Sequence, residues 1–212
     1  MHLPARSRRL LLLGTAASLA LPALASSRRV LQPMTDGPFY PPRAWRQAWA
    51  DWDADLTRVV QGSQTLTAQG EHLGLAAVVA DTKGRVIDGA EVEIWQCDVL
   101  AHYRHPQVAQ KPGGFDPGFQ GLGLARSDAA GALRFRTIRP VAYAGRTPHI
   151  HLKVRLGQRE LLTTQLYVAG DPGNERDFIW RRMDAQDRAA VTVPFIKSPD
   201  GLAANFPVII AA

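Results

Sequence analysis

The sequence predicts an all-β fold: a β-sandwich core with little helix and long loops that carry the chemistry. Two observations point there. Short segments of alternating apolar and polar residues recur between residues 72 and 209, separated by Gly- and Asp-rich turns. The helical segment most worth noting is 174–190, and its weak periodicity predicts a short or broken helix. The 212 residues suffice for one domain with a sizeable core.

Residues 1–25 read as a signal peptide. Arg6, Arg8 and Arg9 are its basic start, Leu10 to Leu24 is apolar but too short to span a bilayer, and Ala23-Leu24-Ala25 is a cleavage site. Ser7-Arg8-Arg9-Leu10-Leu11 has the form of a twin-arginine signal, so the expectation is export to the periplasm by that route. No cysteine stands at the cleavage site, so no membrane anchor is expected once the signal is removed.

Residues 26–70 read as an extended amino-terminal arm and loop. The prolines of Gly37-Pro38-Phe39-Tyr40-Pro41-Pro42 forbid helix, and 51–70 is polar and irregular, a surface loop or partial strand. The β-sandwich domain is expected over 71–212. Leu73–Ala80 is its first strand, turned by Asp81-Thr82-Lys83-Gly84. Ala90–Cys97 is the clearest strand, with Val92 and Ile94 alternating against Glu91, Glu93 and Trp95. After the Asp128–Gly131 turn come Leu133–Ile138, His149–Val154 and Leu162–Val168, and Phe206–Ile209 closes the set.

The formal charge of +6 falls when the three signal arginines leave, and no basic stripe suggests a nucleic-acid partner. Cys97 is the one cysteine, so no internal disulfide is expected; its apolar setting predicts a buried thiol.

Strand phase picks out two histidines. His149 and His151 share one face with Lys153, while Ile150, Leu152 and Val154 fill the core face. A His-x-His pair can present two imidazoles to one metal, or can be two exposed polar residues. Tyr143 precedes them across a Gly145-bearing turn that can fold its phenol over the same face, and Tyr103 follows the Trp95 strand. A phenol titrates near pH 10, and a trivalent cation lowers that value enough to bind phenolate. Two phenols and two imidazoles, without thiolate or carboxylate, suit a hard high-valent cation, Fe(III) above all. Arg146 carries a charge that cannot be removed and would stabilise negative charge on a substrate. If the four converge, the chain is an oxygen-using iron enzyme; if not, it is an exported β-domain.

The motifs then resemble a known family. Val92-Glu93-Ile94-Trp95-Gln96-Cys97-Asp98 before Tyr103, Phe119-Gln120-Gly121-Leu122-Gly123 and Phe135-Arg136-Thr137-Ile138-Arg139-Pro140 are similar to those of the intradiol ring-cleavage dioxygenases. So are Tyr143, Gly145-Arg146-Thr147-Pro148-His149-Ile150-His151, Thr164-Gln165-Leu166-Tyr167 and Gly170-Asp171-Pro172, in the family's order, with the protocatechuate 3,4-dioxygenase-type (beta-like) chain nearest. The resemblance implies one non-haem Fe(III) per chain, held by Tyr103, Tyr143, His149 and His151. It implies cleavage of a catechol-type substrate by O2 between the two hydroxylated carbons, giving a muconate-type diacid. Tyr143 would take a substrate proton and Arg146 would stabilise the ketonised ring; Gln165, Trp95, Pro38, Phe39 and Tyr40 would line the substrate. The oligomeric state stays open, a homo-oligomer included. The family pattern has glycine at Ala77 and Ala101. A positive φ at residue 101 would cost alanine about 1 kcal/mol. The alternative is an exported β-sandwich binding module with the same fold and no turnover.

Overall fold

The computed structural model describes residues 29–47, 51–109, 113–143 and 145–211; the signal-peptide and twin-arginine readings, and Ala144, lie outside the described residues. Helix is confined to short pieces: α1 (Arg43–Gln47), α2 (Pro106–Ala109) and α3 (Ala185–Val191). The stretch expected as a broken helix is two 3-10 turns, Asn174–Arg176 and Trp180–Arg182, followed by α3, which Asp184 caps by accepting from the Asp187 N–H.

The strands are β1 (Arg58–Gln61), β2 (Gln64–Thr67), β3 (His72–Asp81), β4 (Glu91–Trp95), β5 (Leu122–Arg126) and β6 (Ala132–Ile138). They continue with β7 (His149–Leu156), β8 (Arg159–Val168), β9 (Thr192–Val193), β10 (Ile196–Ser198) and β11 (Gly201–Ile210). One sheet runs β10-β11-β3-β6 and the other β5-β4-β7-β8-β9, with β1-β2 a separate hairpin. The all-β expectation therefore holds. Leu73, Leu75, Phe135, Phe206 and Val208 of one sheet meet Val92, Ile94, Ile150, Leu152 and Leu166 of the other in a single buried cluster. Apolar area removed from water at about 25 cal/mol per Å² makes this layer the main source of stability.

Several expectations are sharpened. Of the two readings of residues 51–70, the partial strand is the one found: they hold the β1-β2 hairpin, and the Asp53–Leu56 segment runs beside β6, with the Arg136 N–H donating to Ala54 and the Leu56 N–H to Arg136. Leu56 is fully buried in the core. The closing strand spans Gly201–Ile210 rather than four residues and pairs in parallel with β3. Strand β5 was not legible, because Gly121-Leu122-Gly123 has the composition of a turn.

The arm does more than link. Leu31 enters the core, and its N–H donates to the Ile209 carbonyl; the Met34 N–H donates to Thr163. From Met34 onward the arm crosses the outer face of the five-stranded sheet strand by strand. Met34 reaches Tyr167 of β8, Asp36 pairs with Lys153 of β7 at 2.7 Å, and Tyr40 donates to Glu93 of β4 at 2.5 Å. That face would otherwise be solvated; covered, it buries Glu93, Trp95, His149, His151, Lys153, Gln165 and Tyr167.

Candidate active site

The four candidate ligands converge beneath this arm. Antiparallel register sets Trp95 opposite His151, His151 opposite Gln165, and His149 opposite Tyr167 on one face of β4, β7 and β8. His149 and His151, next-but-one neighbours on β7, therefore lie side by side, Nε2 to Nε2 at 3.2 Å. Tyr143 sits in the loop before β7. The Arg146 N–H donates to the Tyr143 carbonyl at 2.7 Å, and Gly145, at φ +78°, supplies the left-handed residue that closes this turn. The Tyr143 ring lies 5.5 Å from that of His149 and 5.0 Å from that of Tyr103. Tyr103 follows a tight turn at Asp98–His102, and its ring stands 6.1 Å from His151.

Ala101 in that turn has φ +62° and is the one non-glycine with positive φ among the described residues. The strain expected at this position is present, and Tyr103 is nonetheless in place.

The other candidates fall into two groups. Phe39 stacks on Tyr103 at 4.9 Å and meets Tyr143 edge-on, which puts it at the mouth of the cluster. Trp95 stacks on His151 at 4.7 Å and backs that imidazole from within the protein. Pro38 is an exposed turn residue beside Phe39. Tyr40 packs edge-on against Trp95, and its hydroxyl is bound to Glu93, on the side of Lys153 and Arg46. Gln165 accepts from Arg146 Nη2 at 2.7 Å and from the Tyr167 hydroxyl at 2.8 Å.

Burial sets the protonation states. It pushes His149 down to about 4, the Arg146 charge assisting, and holds His151 well below the usual histidine value. Both rings are thus neutral at pH 7, the form that ligates metal. The His149 Nδ1–H donates to the Thr147 carbonyl at 2.6 Å, which leaves the Nε2 lone pair aimed at the cluster. Burial and then the neighbouring Tyr143 phenol raise Tyr103 well above the ordinary phenol value. The Tyr103 hydroxyl is a buried polar atom with no partner beyond the adjacent Tyr143 phenol. Buried groups of this kind are rare without a reason, and a cation held between these rings would supply one. Among the described residues no cluster of three or more His, Cys, Asp or Glu is placed to hold a metal, so the thiolate and carboxylate sets typical of zinc are not at hand. The Tyr/Tyr/His/His set fits Fe(III).

Sequence reasoning missed the residues that support the site. Asp177, fully buried, pairs with Arg146 at 2.7 Å, and Tyr167 lies 3.3 Å from Arg146 Nη2. No spacing signal links positions 31 residues apart.

The family model described as Dioxygenase matches residues 35–193. The protocatechuate 3,4-dioxygenase beta chain of Burkholderia cepacia is 37% identical over 131 residues, covering 57% of this chain and 53% of its own length. The catechol 1,2-dioxygenase of Acinetobacter baylyi is 30% identical over 168 residues, covering 68% of this chain and 48% of its own. The chain thus spans about half the length of these curated relatives. Among solved structures, the dioxygenase domain of a dioxygenase carbohydrate-binding protein fusion from Streptomyces sp. SirexAA-E superposes with a TM-score of 0.64 at 25% identity, covering 87% of this chain and 99% of that one. An intradiol ring-cleavage dioxygenase from Tetranychus urticae gives a TM-score of 0.64 at 19% identity over 86% of this chain and 94% of that one, a likeness of fold. With the matched segment containing Tyr103, Tyr143, Arg146, His149 and His151, the chain belongs to the intradiol dioxygenase family.

Proposed function

We propose that this protein is a non-haem Fe(III) dioxygenase that cleaves the ring of a catechol-type aromatic between its two hydroxylated carbons. The observation that carries this reading is the convergence of Tyr103, Tyr143, His149 and His151 beside the Arg146 guanidinium. Tyr103, Tyr143, His149 and His151 would hold the ion. When bound, Fe(III) supplies a Lewis acid that favours the catecholate dianion and opens the ring carbons to O2.

The chain's own residues do the rest. As the phenolate it would be when holding the ion, the half-buried Tyr143, on a loop and not a strand, would receive a substrate proton on that oxygen and become a neutral phenol. Arg146 offers fixed positive charge to the anion that develops on the ring, in a water-poor setting that strengthens the interaction. Phe39 and the arm exclude water from one side, and Gln165 fixes one edge of Arg146. One carbon–carbon bond breaks, both oxygen atoms enter the muconate-type diacid, and no external reductant is needed. Export to the periplasm by the twin-arginine route is part of the proposal, supported by Ser7–Leu11 and Ala23–Ala25.

The test is oxygen uptake by the iron-loaded protein with catechol, protocatechuate and hydroxyquinol, together with its visible spectrum. The expected results are a red-brown tyrosinate-to-iron band and uptake of one O2 per ring opened. A colourless protein at full iron loading would sink the assignment, and a coloured protein without uptake would identify a binding module.

A further inference from the structure

We propose that Asp177 is a positioning residue whose single carboxylate sets both the Arg146 guanidinium and the peptide that orients His149. The proposal rests on the ring-cleavage reading of the site.

Asp177 is 0% exposed and its two oxygens face different parts of the fold. Oδ1 accepts from the Ile179 and Trp180 N–H groups at 2.9 and 3.0 Å, anchoring it on the second 3-10 turn. Oδ2 accepts from Arg146 Nε at 2.7 Å and from the Thr147 N–H at 3.1 Å. Four donors on two oxygens is the full capacity of a carboxylate, and only an acceptor-only group can meet it. An amide in its place would set an NH2 against one of the two donor pairs.

From Oδ2 the coupling runs along two short paths. Thr147, held at its N–H by Asp177 and at its hydroxyl by Asn174 at 2.8 Å, presents the carbonyl that receives the His149 Nδ1–H. Arg146, held at Nε by Asp177 and at Nη2 by Gln165 and Tyr167, has no hydrogen bond at Nη1 among the described residues. Nη1 is therefore the one guanidinium nitrogen free to meet a substrate, the group itself lying 5.2 Å from the Phe178 ring. One buried charge therefore fixes the orientation of an imidazole ligand and the charge that faces the ring.

The test is a double-mutant cycle of wild type, D177N, R146M and the double variant, each loaded with Fe(III) and assayed by oxygen uptake with whichever of catechol, protocatechuate and hydroxyquinol the wild type turns over fastest. Iron affinity and urea unfolding are measured alongside. D177N is expected to lower kcat about 10- to 100-fold and to weaken iron binding measurably, as loss of a partner behind a metal ligand does. At saturating iron, D177N should lower kcat in the R146M background by less than it does in wild type, because one of the two groups it positions is gone, while its loss of iron affinity should remain, because the Thr147–His149 path is intact. A purely structural role would move the urea midpoint and leave the kcat losses additive; additive losses, or unchanged iron affinity, overturn the proposal. Should D177N not fold, the same cycle is run with D177E, which keeps the charge and displaces the guanidinium, and the same non-additivity is required. No uptake by the wild-type protein with any of the three catechols overturns the ring-cleavage reading and this proposal with it; turnover by wild type with additive losses overturns this proposal alone.

Discussion

Replacing Ala101 with glycine should stabilise the protein without disturbing the site. Ala101 has φ +62°, and its turn cannot relax because Asp98 holds it throughout. The Ala101 N–H donates to the Asp98 carbonyl at 3.0 Å, the Asp98 N–H donates to the His102 carbonyl at 2.8 Å, and Asp98 Oδ1 accepts from Leu100 and His102, each at 2.9 Å. A left-handed L-residue costs about 1–2 kcal/mol, which glycine avoids. Glycine also frees the unfolded chain, returning about 0.4–1 kcal/mol of that gain. The net expectation is about 0.5–1 kcal/mol, a Tm rise of about 1–4 °C for a chain of this size. Urea unfolding of A101G and wild type, both metal-free, measures it as a higher midpoint at unchanged slope. A101G unfolding at the same or lower urea concentration would refute the reasoning that the turn stores strain.

Tyr103→Phe should abolish turnover and weaken and shift the visible band of the iron-loaded protein, in which Tyr143 remains, yet leave the metal-free protein about as stable as wild type. Its buried hydroxyl has no partner beyond the Tyr143 phenol and its ring stays stacked on Phe39, so a clear loss of metal-free stability would count against the reading. Cys97, pushed up to about 12 by burial and then by the Asp98 charge, should not react with a disulfide reagent at pH 8 until urea unfolds the chain; labelling of native protein would refute its burial. Burial alone would raise Asp177, but the Arg146 bond and the Trp180 and Thr147 N–H groups hold it below the usual carboxylate range. Its stabilisation is therefore complete above the unfolded pKa of about 4 and is lost as pH falls through the lower folded value. The urea midpoint of wild type should drop further between pH 5 and pH 3 than that of D177N, and equal drops would refute it.

Alternation was readable wherever one face of a strand meets the core. Ile150, Leu152 and Val154 gave β7 its phase and set His149 and His151 on the opposite face; Leu133, Phe135 and the intervening arginines did the same for β6. It located but did not report the exposure of strands whose two faces are both covered, β7 as well as β4. Val92, Glu93, Ile94 and Trp95 are all buried, so the polar phase of β4 says nothing about exposure. Alternation failed where pairing rather than pattern makes the strand, as in β9, two residues added in parallel to the end of β8. The ligand set was legible because it lies in two short motifs. Asp177 was not, because a carboxylate acting across 31 residues leaves no local trace.

The arm shows why the missing piece mattered. As sequence, residues 26–70 read as an extended lead-in, its prolines excluding helix and only the family resemblance giving Pro38, Phe39 and Tyr40 a place beside the substrate. In the fold its position is set by charge. Lys153, with a side chain 4% exposed, pairs with Asp36 and lies 4.2 Å from the Tyr40 ring, while Arg46 and Tyr40 both bind Glu93, the residue paired with Lys153 across β4 and β7. These contacts hold Gly37 against His151, where a Cβ would stand 3.4 Å from the imidazole, and Phe39 against Tyr103. Without that cover the outer face of the five-stranded sheet would be wet. His149 and His151 would titrate near the ordinary histidine value of about 6.5 and carry protons in competition with a metal. The dry, neutral imidazole pair is thus a property of the arm and the sheet together.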